Sequence, residues 1–214
     1  MTDAASAPPR RYLAIWFPWL PSDRLRRQEQ ADAASPDEKD AQPLLPVVLV
    51  EKIKGALRLA AVDPAAARAG LSPGMTLADA QARTPDLRTV AHRPDLDDAL
   101  LARIVEDFGR FSPMVCADAP HGLLLDITGC AHLFGGEAGL VRAAESRARR
   151  IGLAVRSALA GTPQAARALS RFGPGGVFAP GEDRAAVRRL PVAAMELPEK
   201  DEQALRRAGL KRIA

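Results

Sequence analysis

The order of the predicted elements indicates an α+β fold, in which a split βαβ sheet carries a long insertion after its first strand. A β-branched and aromatic run at residues 12–17 ends in Pro18 and predicts that first strand. From residue 94 the hydrophobic pattern reads helix, strand, strand, helix, strand. The 214 residues are 47% hydrophobic, which is enough for one large core or two small ones. This order of elements is that of a ferredoxin-like sheet.

Polar segments lie on both sides of the first strand. Residues 1–11 predict a disordered leader, and the acidic, proline-containing residues 30–45 predict a loop. Between them, Ser22 and Asp23 predict the cap of a short helix that ends near Glu29. We therefore expect the insertion to begin with this helix and loop.

The body of the insertion has compact local signals. Two short apolar runs, residues 47–51 and 57–62, predict a hairpin. Asp63 followed by Pro64 predicts a capped helix start, and Thr76 predicts the cap of a second short helix. The insertion is therefore expected to fold as a small unit of its own.

The part after residue 94 is strongly periodic. Residues 94–111 predict a long amphipathic helix because apolar side chains recur at every fourth position, namely Leu96, Leu100, Ile104 and Phe108. Strands are predicted at 113–117, 123–127 and 153–159, and a helix at 136–150. Thr162 and Pro163 begin another helix, which ends at Phe172 before a GPGG turn at 173–176. Short helices at 182–189 and 199–208 complete the chain.

The charge of the chain is mildly positive. It carries 30 basic and 26 acidic residues, a net charge of +4, and the excess concentrates at residues 141–171, where seven arginines accompany one glutamate. This stretch fits a polyanion such as DNA, and it equally fits a solvated helix face. The sequence has neither an apolar signal region nor an apolar run that would span a bilayer, so we expect a cytoplasmic protein without a membrane anchor.

Cysteine and aromatic residues exclude two other classes of site. Cys116 and Cys130 have no CxxC neighbour, which predicts reduced, partly buried thiols rather than a zinc site. Aromatic residues make up only 4% of the chain, which argues against a single-strand binder that works by base stacking.

Polymerase palms are built on this architecture, and they transfer phosphoryl groups with two metal ions. Such a palm needs carboxylates at the end of its first strand and in the turn between its second and third strands. Trp16 stands at the first place, Asp118 and Asp126 flank the second, and Asp23 lies on the following helix. Two interpretations remain. Either Asp118 and Asp126 serve the turn and local backbone, or one of them joins Asp23 around a metal.

Several short motifs resemble, in the same order, those of the Y-family lesion-bypass DNA polymerases. Residues 123–129 (LLLDITG) and 132–136 (HLFGG) resemble the palm hairpin, and residues 66–80 (AARAGLSPGMTLADA) resemble the fingers. Residues 190–192 and 205–213 (LRRAGLKRI) resemble the thumb. The resemblance runs from the first strand to the last residue.

The resemblance implies a division of the chain into subdomains. It places a palm at 12–21 and 93–160, a fingers-like insertion at 22–92, and a small helical, thumb-like region at 161–214. On this division the thumb is truncated, and we expect the chain to be part of a longer protein.

The sequence departs from the active polymerases at every position that carries their chemistry. Active members have an Asp where Trp16 stands and an Asp-Glu pair where His121 and Gly122 stand. Their triphosphate-binding Tyr, Arg and Lys align with Pro64, Ala67 and Ala166. The chain therefore resembles the non-catalytic ImuB-type branch of the family, for which we expect neither a metal nor another cofactor.

The resemblance implies a DNA-binding and protein-bridging scaffold in damage-induced (SOS) mutagenesis and translesion synthesis. Its partners would be primer–template DNA, a sliding clamp, a RecA-like accessory protein and a separate error-prone replicative-type polymerase, in a bacterial cytoplasm and at the nucleoid. The clamp and protein partners would bind regions outside this chain. The candidate DNA contacts are Arg142, Arg147, Arg149, Arg150, Arg156, Arg167 and Arg171, with the amides of Gly175 and Gly176.

Two alternatives remain open from the sequence. One is an active error-prone lesion-bypass polymerase that uses a divergent carboxylate set, with Asp118 or Asp126 meeting Asp23. The other is an unrelated small-molecule enzyme or binding module that shares the ferredoxin-like topology. Primer extension separates the first alternative from the scaffold, and salt-dependent DNA binding separates the second.

Overall fold

The computed structural model describes residues 9–32 and 45–214. In this part of the chain the strands are β1 (Tyr12–Trp16), β2 (Val47–Ile53), β3 (Ala56–Val62), β4 (Arg88–Ala91), β5 (Met114–Asp118), β6 (Gly122–Asp126), β7 (Arg156–Ala160) and β8 (Gly176–Val177). The α-helices are α1 (Leu20–Asp32), α2 (Pro64–Arg68), α3 (Leu77–Arg83), α4 (Pro94–Phe108), α5 (Glu137–Arg150), α6 (Pro163–Phe172), α7 (Glu182–Arg188) and α8 (Glu199–Arg207). Two 3-10 turns span Ala131–Phe134 and Val192–Met195. Within these ranges no helix is both long enough and apolar enough to cross a bilayer.

The main sheet has the predicted ferredoxin-like order. Its strands are arranged β5-β6-β1-β7-β8, and the first four pair antiparallel with their neighbours. β1 is therefore central, and its register places Trp16 opposite Gly122 on one side and opposite Arg156 on the other. The α+β class and the split βαβ arrangement are confirmed.

Helices cover both faces of this sheet. The contacts of two successive residues of β7 show which helix covers which face. Side chains alternate between faces along a strand. Ser157 donates a hydrogen bond of 2.7 Å from its hydroxyl to Glu145 of α5, whereas Ala158 packs in a buried cluster with Ala166 and Leu169 of α6. Helices α5 and α6 therefore lie on opposite faces of the sheet.

The inserted region has its own sheet and core. β2 pairs antiparallel with β3 and parallel with β4. Val48, Leu59 and Ala66 form part of a buried cluster beneath α2 and α3. The predicted caps of these helices are confirmed, because the Asp63 carboxylate accepts from the Ala66 amide at 2.7 Å and the Thr76 hydroxyl accepts from the Asp79 amide at 3.1 Å.

The described residues divide into two compact units. The first contains residues 9–18, 101–150 and 155–214, and the second contains residues 19–100 and 151–154. The main sheet and helices α5 to α8 belong to the first unit, and the three-stranded sheet belongs to the second. The assignment of palm, fingers-like and thumb-like regions stays a prediction.

Several predicted boundaries are wrong, and each error has a local cause. Helix α1 begins at Leu20, so Ser22 lies inside its first turn and donates to the Trp19 carbonyl at 3.0 Å instead of capping the helix. Helix α4 ends at Phe108, three residues before the predicted end, because Phe111 belongs to the following turn and is buried there. Strands β4 and β8 were not predicted, since they are only four and two residues long.

The first described residues also differ from the prediction. Residues 1–8 of the predicted leader and 33–44 of the predicted loop lie outside the described residues. Arg11, however, is buried, and its guanidinium donates to both carboxylate oxygens of Glu137 at 2.6 and 2.8 Å and to the Phe178 carbonyl at 2.6 Å. This residue is therefore part of the folded unit rather than of a leader.

Candidate functional site

The three positions that hold metal-binding carboxylates in active members lie together at one end of β1 and β6. Trp16 is directly opposite Gly122, and the Phe17 amide donates to the His121 carbonyl at 2.8 Å. A Cβ atom placed on Gly122 would lie 3.0 Å from the Ile15 carbonyl oxygen, which is closer than ordinary van der Waals contact. Mg²⁺ prefers oxygen ligands, and an indole, an imidazole and a glycine do not supply them. The residues at this place therefore do not fit the metal ions of a polymerase.

Trp16 is half-buried and covered by an arginine. The guanidinium carbon of Arg156 lies 5.8 Å from the centre of the indole ring, within cation–π range. The same guanidinium donates to the Arg171 carbonyl at 3.2 Å and to the Gly173 carbonyl. Arg156 therefore binds the carbonyls at the end of α6, and its assignment as a DNA contact stays a prediction.

Asp118 lies in an ion-pair network that was not predicted from the sequence. Its carboxylate oxygens are 3.1 Å from Arg167 Nε and 2.8 Å from Arg171 Nη2. The same two guanidinium groups bind Glu196, with Arg167 Nη2 at 2.7 Å from Oε2 and Arg171 Nη1 at 2.6 Å from Oε1. We call these four residues the α6 charge network. Asp118 is therefore engaged by two arginines and is not placed opposite another carboxylate.

Asp126 lies at the opposite end of β6 from this network. Its Oδ1 accepts from the Thr128 amide at 3.0 Å, as predicted, and its Oδ2 is 3.5 Å from Arg10 Nη1. Gly122, the partner of Asp118, and Asp126 are the two ends of the five-residue strand, which at about 3.3 Å per residue separates them by about 13 Å. Asp118 and Asp126 therefore do not converge on one ion.

Asp23, the third carboxylate of the alternative interpretation, has a structural role in the second unit. Its side chain is 1% exposed, and it accepts from the Ala154 amide and from Arg26, both at 2.8 Å. Burial raises the pKa of Asp23 above its ordinary value, although the hydrogen bond from Ala154 and the charge of Arg26 oppose this change. Across residues 9–32 and 45–214, no group of three or more His, Cys, Asp or Glu side chains is arranged to hold a metal ion.

The positions aligned with the triphosphate-binding residues serve as packing surface. Pro64 is the first residue of α2, and Ala67 packs against the core of the second unit. Ala166 is completely buried in the cluster beneath α6. The two cysteines are free thiols; Cys130 is half-buried, and Cys116 is exposed where a partly buried side chain was predicted.

The arginines of α5 are partly neutralised. Arg147 donates to both carboxylate oxygens of Asp107, at 2.6 and 2.9 Å, and Arg149 pairs with Glu145 at 2.8 Å. The hydrogen bonds from Arg147 hold the pKa of Asp107 below its usual value. Arg142 and Arg150 are exposed and have no ion pair within the described ranges.

The basic stretch at 141–171 does not form one surface. Helix α5 lies on the Ser157 face of the sheet and α6 lies on the Ala158 face. Arg142 and Arg150 therefore lie on the opposite side of the sheet from Arg167 and Arg171. The stretch crosses β7, and nothing in the charge pattern along the chain reveals which face of that strand each flanking helix covers. The DNA contacts assigned to these arginines stay a prediction.

The predicted glycine contacts also have a structural explanation. Gly175 has a φ of +72°, and a Cβ atom there would lie 2.8 Å from the Ser157 carbonyl oxygen. Gly176 belongs to β8 and pairs with Ala158 in a parallel register. The absence of a side chain at Gly175 therefore allows the chain to approach β7 just before β8 begins.

A second basic cluster lies on the same side of the sheet as α6. Hydrogen bonds from Ile213 N to Leu190 O at 3.0 Å and from Ala214 N to Arg188 O at 3.1 Å bring the last residues of the chain next to the end of α7. Leu190 is part of the buried cluster that contains Ala158, and Ile213 packs against it. Five exposed cationic residues without an ion pair in the described part of the chain form this surface, which we call the C-terminal basic cluster: Arg184, Arg188, Arg189, Lys211 and Arg212. The adjacent basic pairs at 188–189 and 211–212 were the available sequence signal.

The family and fold of the chain follow from comparisons with known proteins. A family model described as the impB/mucB/samB family matches residues 42–171. The protein named ImuB of Caulobacter vibrioides (strain NA1000 / CB15N) is 48% identical over 145 residues, which are 67% of this chain and 32% of that protein. The chain thus spans about a third of the length of this curated relative.

The solved structures that match are those of Y-family DNA polymerases. An insertion ternary complex of Dbh DNA polymerase has a TM-score of 0.75 at 16% identity and covers 94% of this chain and 58% of that one. DinB from Sulfolobus solfataricus has a TM-score of 0.69 at 15% identity over the same shares, 94% and 58%. These similarities establish the fold, and since the family model matches more than half of the residues, the chain belongs to the impB/mucB/samB family.

Proposed function

We propose that this chain is the polymerase-like part of a DNA-binding scaffold that does not itself catalyse nucleotide transfer and that acts in damage-induced mutagenesis and translesion synthesis. One observation carries the proposal. The strand ends that should present metal-binding carboxylates instead present Trp16, His121 and Gly122, in the register that those carboxylates would need. Without carboxylates a palm has no means of activating the primer hydroxyl or of stabilising the leaving pyrophosphate by the two-metal route.

The alternative, an active polymerase with a divergent carboxylate set, has weaker support. Asp118 is bound by Arg167 and Arg171, and Asp126 lies about 13 Å away along β6. Moving either one to a shared ion would break ion pairs or the sheet register. The ferredoxin-like small-molecule enzyme has no support in the family to which the chain belongs.

DNA binding by this chain would use contacts to the phosphate backbone. The C-terminal basic cluster offers five exposed cations on the α6 side of the sheet. Lysine and arginine contacts to phosphates supply affinity without sequence readout, which suits a protein that must accept damaged templates. The Dbh structure is described as a ternary complex of a DNA polymerase, which supports the same kind of ligand for this fold.

The remaining partners are proposed for the whole protein. We assign it contacts with a sliding clamp, a RecA-like accessory protein and a separate error-prone polymerase, in a bacterial cytoplasm at the nucleoid. The similarity to the protein named ImuB supports this role, and the matched region is 32% of that protein. The contacts that bridge these partners would then lie mainly in the other two-thirds of the whole protein.

Primer extension tests the proposal directly. The purified 214-residue chain is incubated with a primer–template, four deoxynucleoside triphosphates and Mg²⁺ or Mn²⁺, beside a Y-family polymerase that retains its carboxylates. We expect no extension by the chain. Metal-dependent incorporation that is lost in Asp118→Ala or Asp126→Ala would overturn the proposal in favour of the active polymerase.

DNA binding is measured separately, by fluorescence anisotropy with a labelled primer–template. We expect an affinity that falls as salt rises from about 50 to 200 mM, by roughly tenfold or more if two or more phosphates are contacted. A protein that fails to bind even at low salt would contradict the DNA-binding part of the proposal. It would favour a role in protein contacts alone.

A further inference from the structure

The α6 charge network contains a site that is built to bind an anion. Arg171 donates to one oxygen of the Glu196 carboxylate at 2.6 Å, and Arg167 forms an ion pair with the other oxygen at 2.7 Å, so that two guanidinium groups surround a single anionic group. Paired guanidinium groups are the side chains that proteins use to bind phosphate as well as carboxylate. The Glu196 carboxylate thus occupies a place that the oxygens of a phosphate would fit.

The network has an inner and an outer pair. Asp118 and Arg171 are 15% and 12% exposed, whereas Glu196 and Arg167 are 29% and 40% exposed. Asp118 alone would neutralise only one of the two arginines, and Glu196 neutralises the second. An anion from solvent could therefore replace Glu196 at the outer pair while the inner pair stays intact.

Glu196 is held in an unfavourable backbone conformation. It follows the 3-10 turn Val192–Met195 and has a φ of 49°, in the left-handed region that L-residues other than Asn and Asp seldom adopt. The preceding residue, Met195, is 49% exposed, whereas Val192 and Ala194 of the same turn are buried. The competing carboxylate is therefore carried by a strained residue at the end of an otherwise packed turn.

Two donors in the network lack an acceptor. Within the described ranges, Arg167 Nε and Arg171 Nε are buried without a hydrogen-bond partner, and the 3.1 Å approach of Arg167 Nε to Asp118 is an ion pair without hydrogen-bond geometry. A buried donor without an acceptor is unfavourable, and a phosphate has more acceptor oxygens than a carboxylate has. This leaves the network incomplete with Glu196 in place.

We propose that Glu196 is an intramolecular competitor of DNA phosphate for Arg167 and Arg171, so that DNA engages α6 only when this carboxylate is displaced. The proposal rests on the DNA-binding function proposed above. It explains why two arginines on the same side of the sheet as the C-terminal basic cluster are neutralised in the free protein. It also identifies Glu196 as the residue that sets how tightly this surface holds a phosphate.

The test compares two variants that remove one negative charge each. Glu196→Gln removes the competing carboxylate, and Glu199→Gln removes an exposed carboxylate of α8 that accepts a 3.0 Å hydrogen bond from Gln203. Affinity for a labelled primer–template is measured by anisotropy from about 50 to 200 mM salt. We expect Glu196→Gln to bind about three- to tenfold tighter than Glu199→Gln, with a salt dependence steeper by about one phosphate contact.

Two further variants separate this effect from misfolding or from general charge. Glu196→Gly removes the carboxylate and suits the left-handed backbone, so it should reproduce the gain without loss of thermal stability. Arg167→Gln removes one of the two guanidinium groups, so it should weaken primer–template binding and should remove the gain when combined with Glu196→Gln. Equal affinities and equal salt dependence for Glu196→Gln and Glu199→Gln would reject the competition. Failure of every variant to bind at low salt would instead reject DNA binding itself, and with it phosphate as the ligand.

Discussion

Trp16 lies directly opposite Gly122 in the antiparallel pairing of β1 with β6. Tryptophan, the largest amino acid, is thus paired with glycine, which has no side chain, at the place where a catalytic palm has carboxylates on both strands. Gly122 is buried, and the space beside its Cα is taken by the carbonyl oxygens of Ile15 and Asp118, at 3.0 and 3.1 Å from an added Cβ. A carboxylate could not be restored at 122 without a shift of the neighbouring backbone.

The first prediction concerns this close approach. Gly122→Ala should lower the free energy of unfolding by about 1–3 kcal/mol, because the added methyl group pushes against two backbone oxygens that belong to paired strands. The measurement is urea denaturation followed by circular dichroism. Cys116→Ala, an exposed substitution on neighbouring β5, is the control and should stay within about 0.5 kcal/mol of the wild type. Equal stabilities for both variants would mean that β1 and β6 can separate freely at this end.

The sheet and its order could be predicted from the sequence because the signals are local. The apolar period of α4, the proline that follows β1 and the caps at Asp63 and Thr76 are each decided by residues close in the chain. Local pattern and fold agree at these positions. The resemblance also aligned Trp16, His121 and Gly122 with one set of carboxylates, whereas the direct pairing of Trp16 with Gly122 comes from the structure alone.

The partners of the arginines could not be predicted from the sequence. Arg171 meets Asp118 and Glu196, which are 53 and 25 residues away along the chain, so nothing in its neighbourhood indicates that it is neutralised. The opposite placement of α5 and α6 depends on which side chain of β7 each helix covers. A count of arginines along the sequence therefore overestimates the positive charge that one face of the protein presents to a partner.

The second prediction follows from the ion pair between Asp107 and Arg147. Because hydrogen bonds from Arg147 lower the pKa of Asp107 in the folded protein, the pair stabilises the fold above the ordinary carboxylate pKa of about 3.9. That contribution is lost as the pH falls through the lowered value. Asp107→Asn should therefore cost about 1 kcal/mol at pH 7, with solvent screening keeping it near this figure, and the difference from wild type should shrink as the pH falls below the ordinary carboxylate value of about 3.9.

Urea denaturation between about pH 3 and pH 7 measures this difference. Asp98→Asn is the matched control, because Asp98 is an exposed carboxylate of the same helix. A cost of Asp107→Asn that does not depend on pH would show that the residue acts through packing rather than through its charge.

The third prediction concerns Asp23, whose pKa changes in the opposite direction. Burial raises the pKa of its carboxyl, so its ionisation opposes folding, and stability is lost as the pH rises through the raised value. Asp23→Asn keeps an acceptor for the Ala154 amide and carries no charge. Its stability relative to wild type should therefore improve between about pH 4 and pH 7. Asp23→Ala leaves the Ala154 amide without its acceptor and should cost about 1–3 kcal/mol throughout this range. A relative stability of Asp23→Asn that declines toward pH 7 would mean that the pairing with Arg26 outweighs burial.

The fourth prediction separates the two faces of the main sheet. Arg188 and Arg189 belong to the C-terminal basic cluster on the α6 side, and Arg142 and Arg150 are exposed on α5, on the opposite side. Arg188→Gln combined with Arg189→Gln should weaken primer–template binding and reduce its salt dependence by about 0.9 for each phosphate that the variant no longer binds. Arg142→Gln combined with Arg150→Gln removes the same charge and should change the affinity by less than about twofold. If the two double variants bind equally weakly, affinity follows the net charge of the chain, and the α6 side has no special role as a DNA surface.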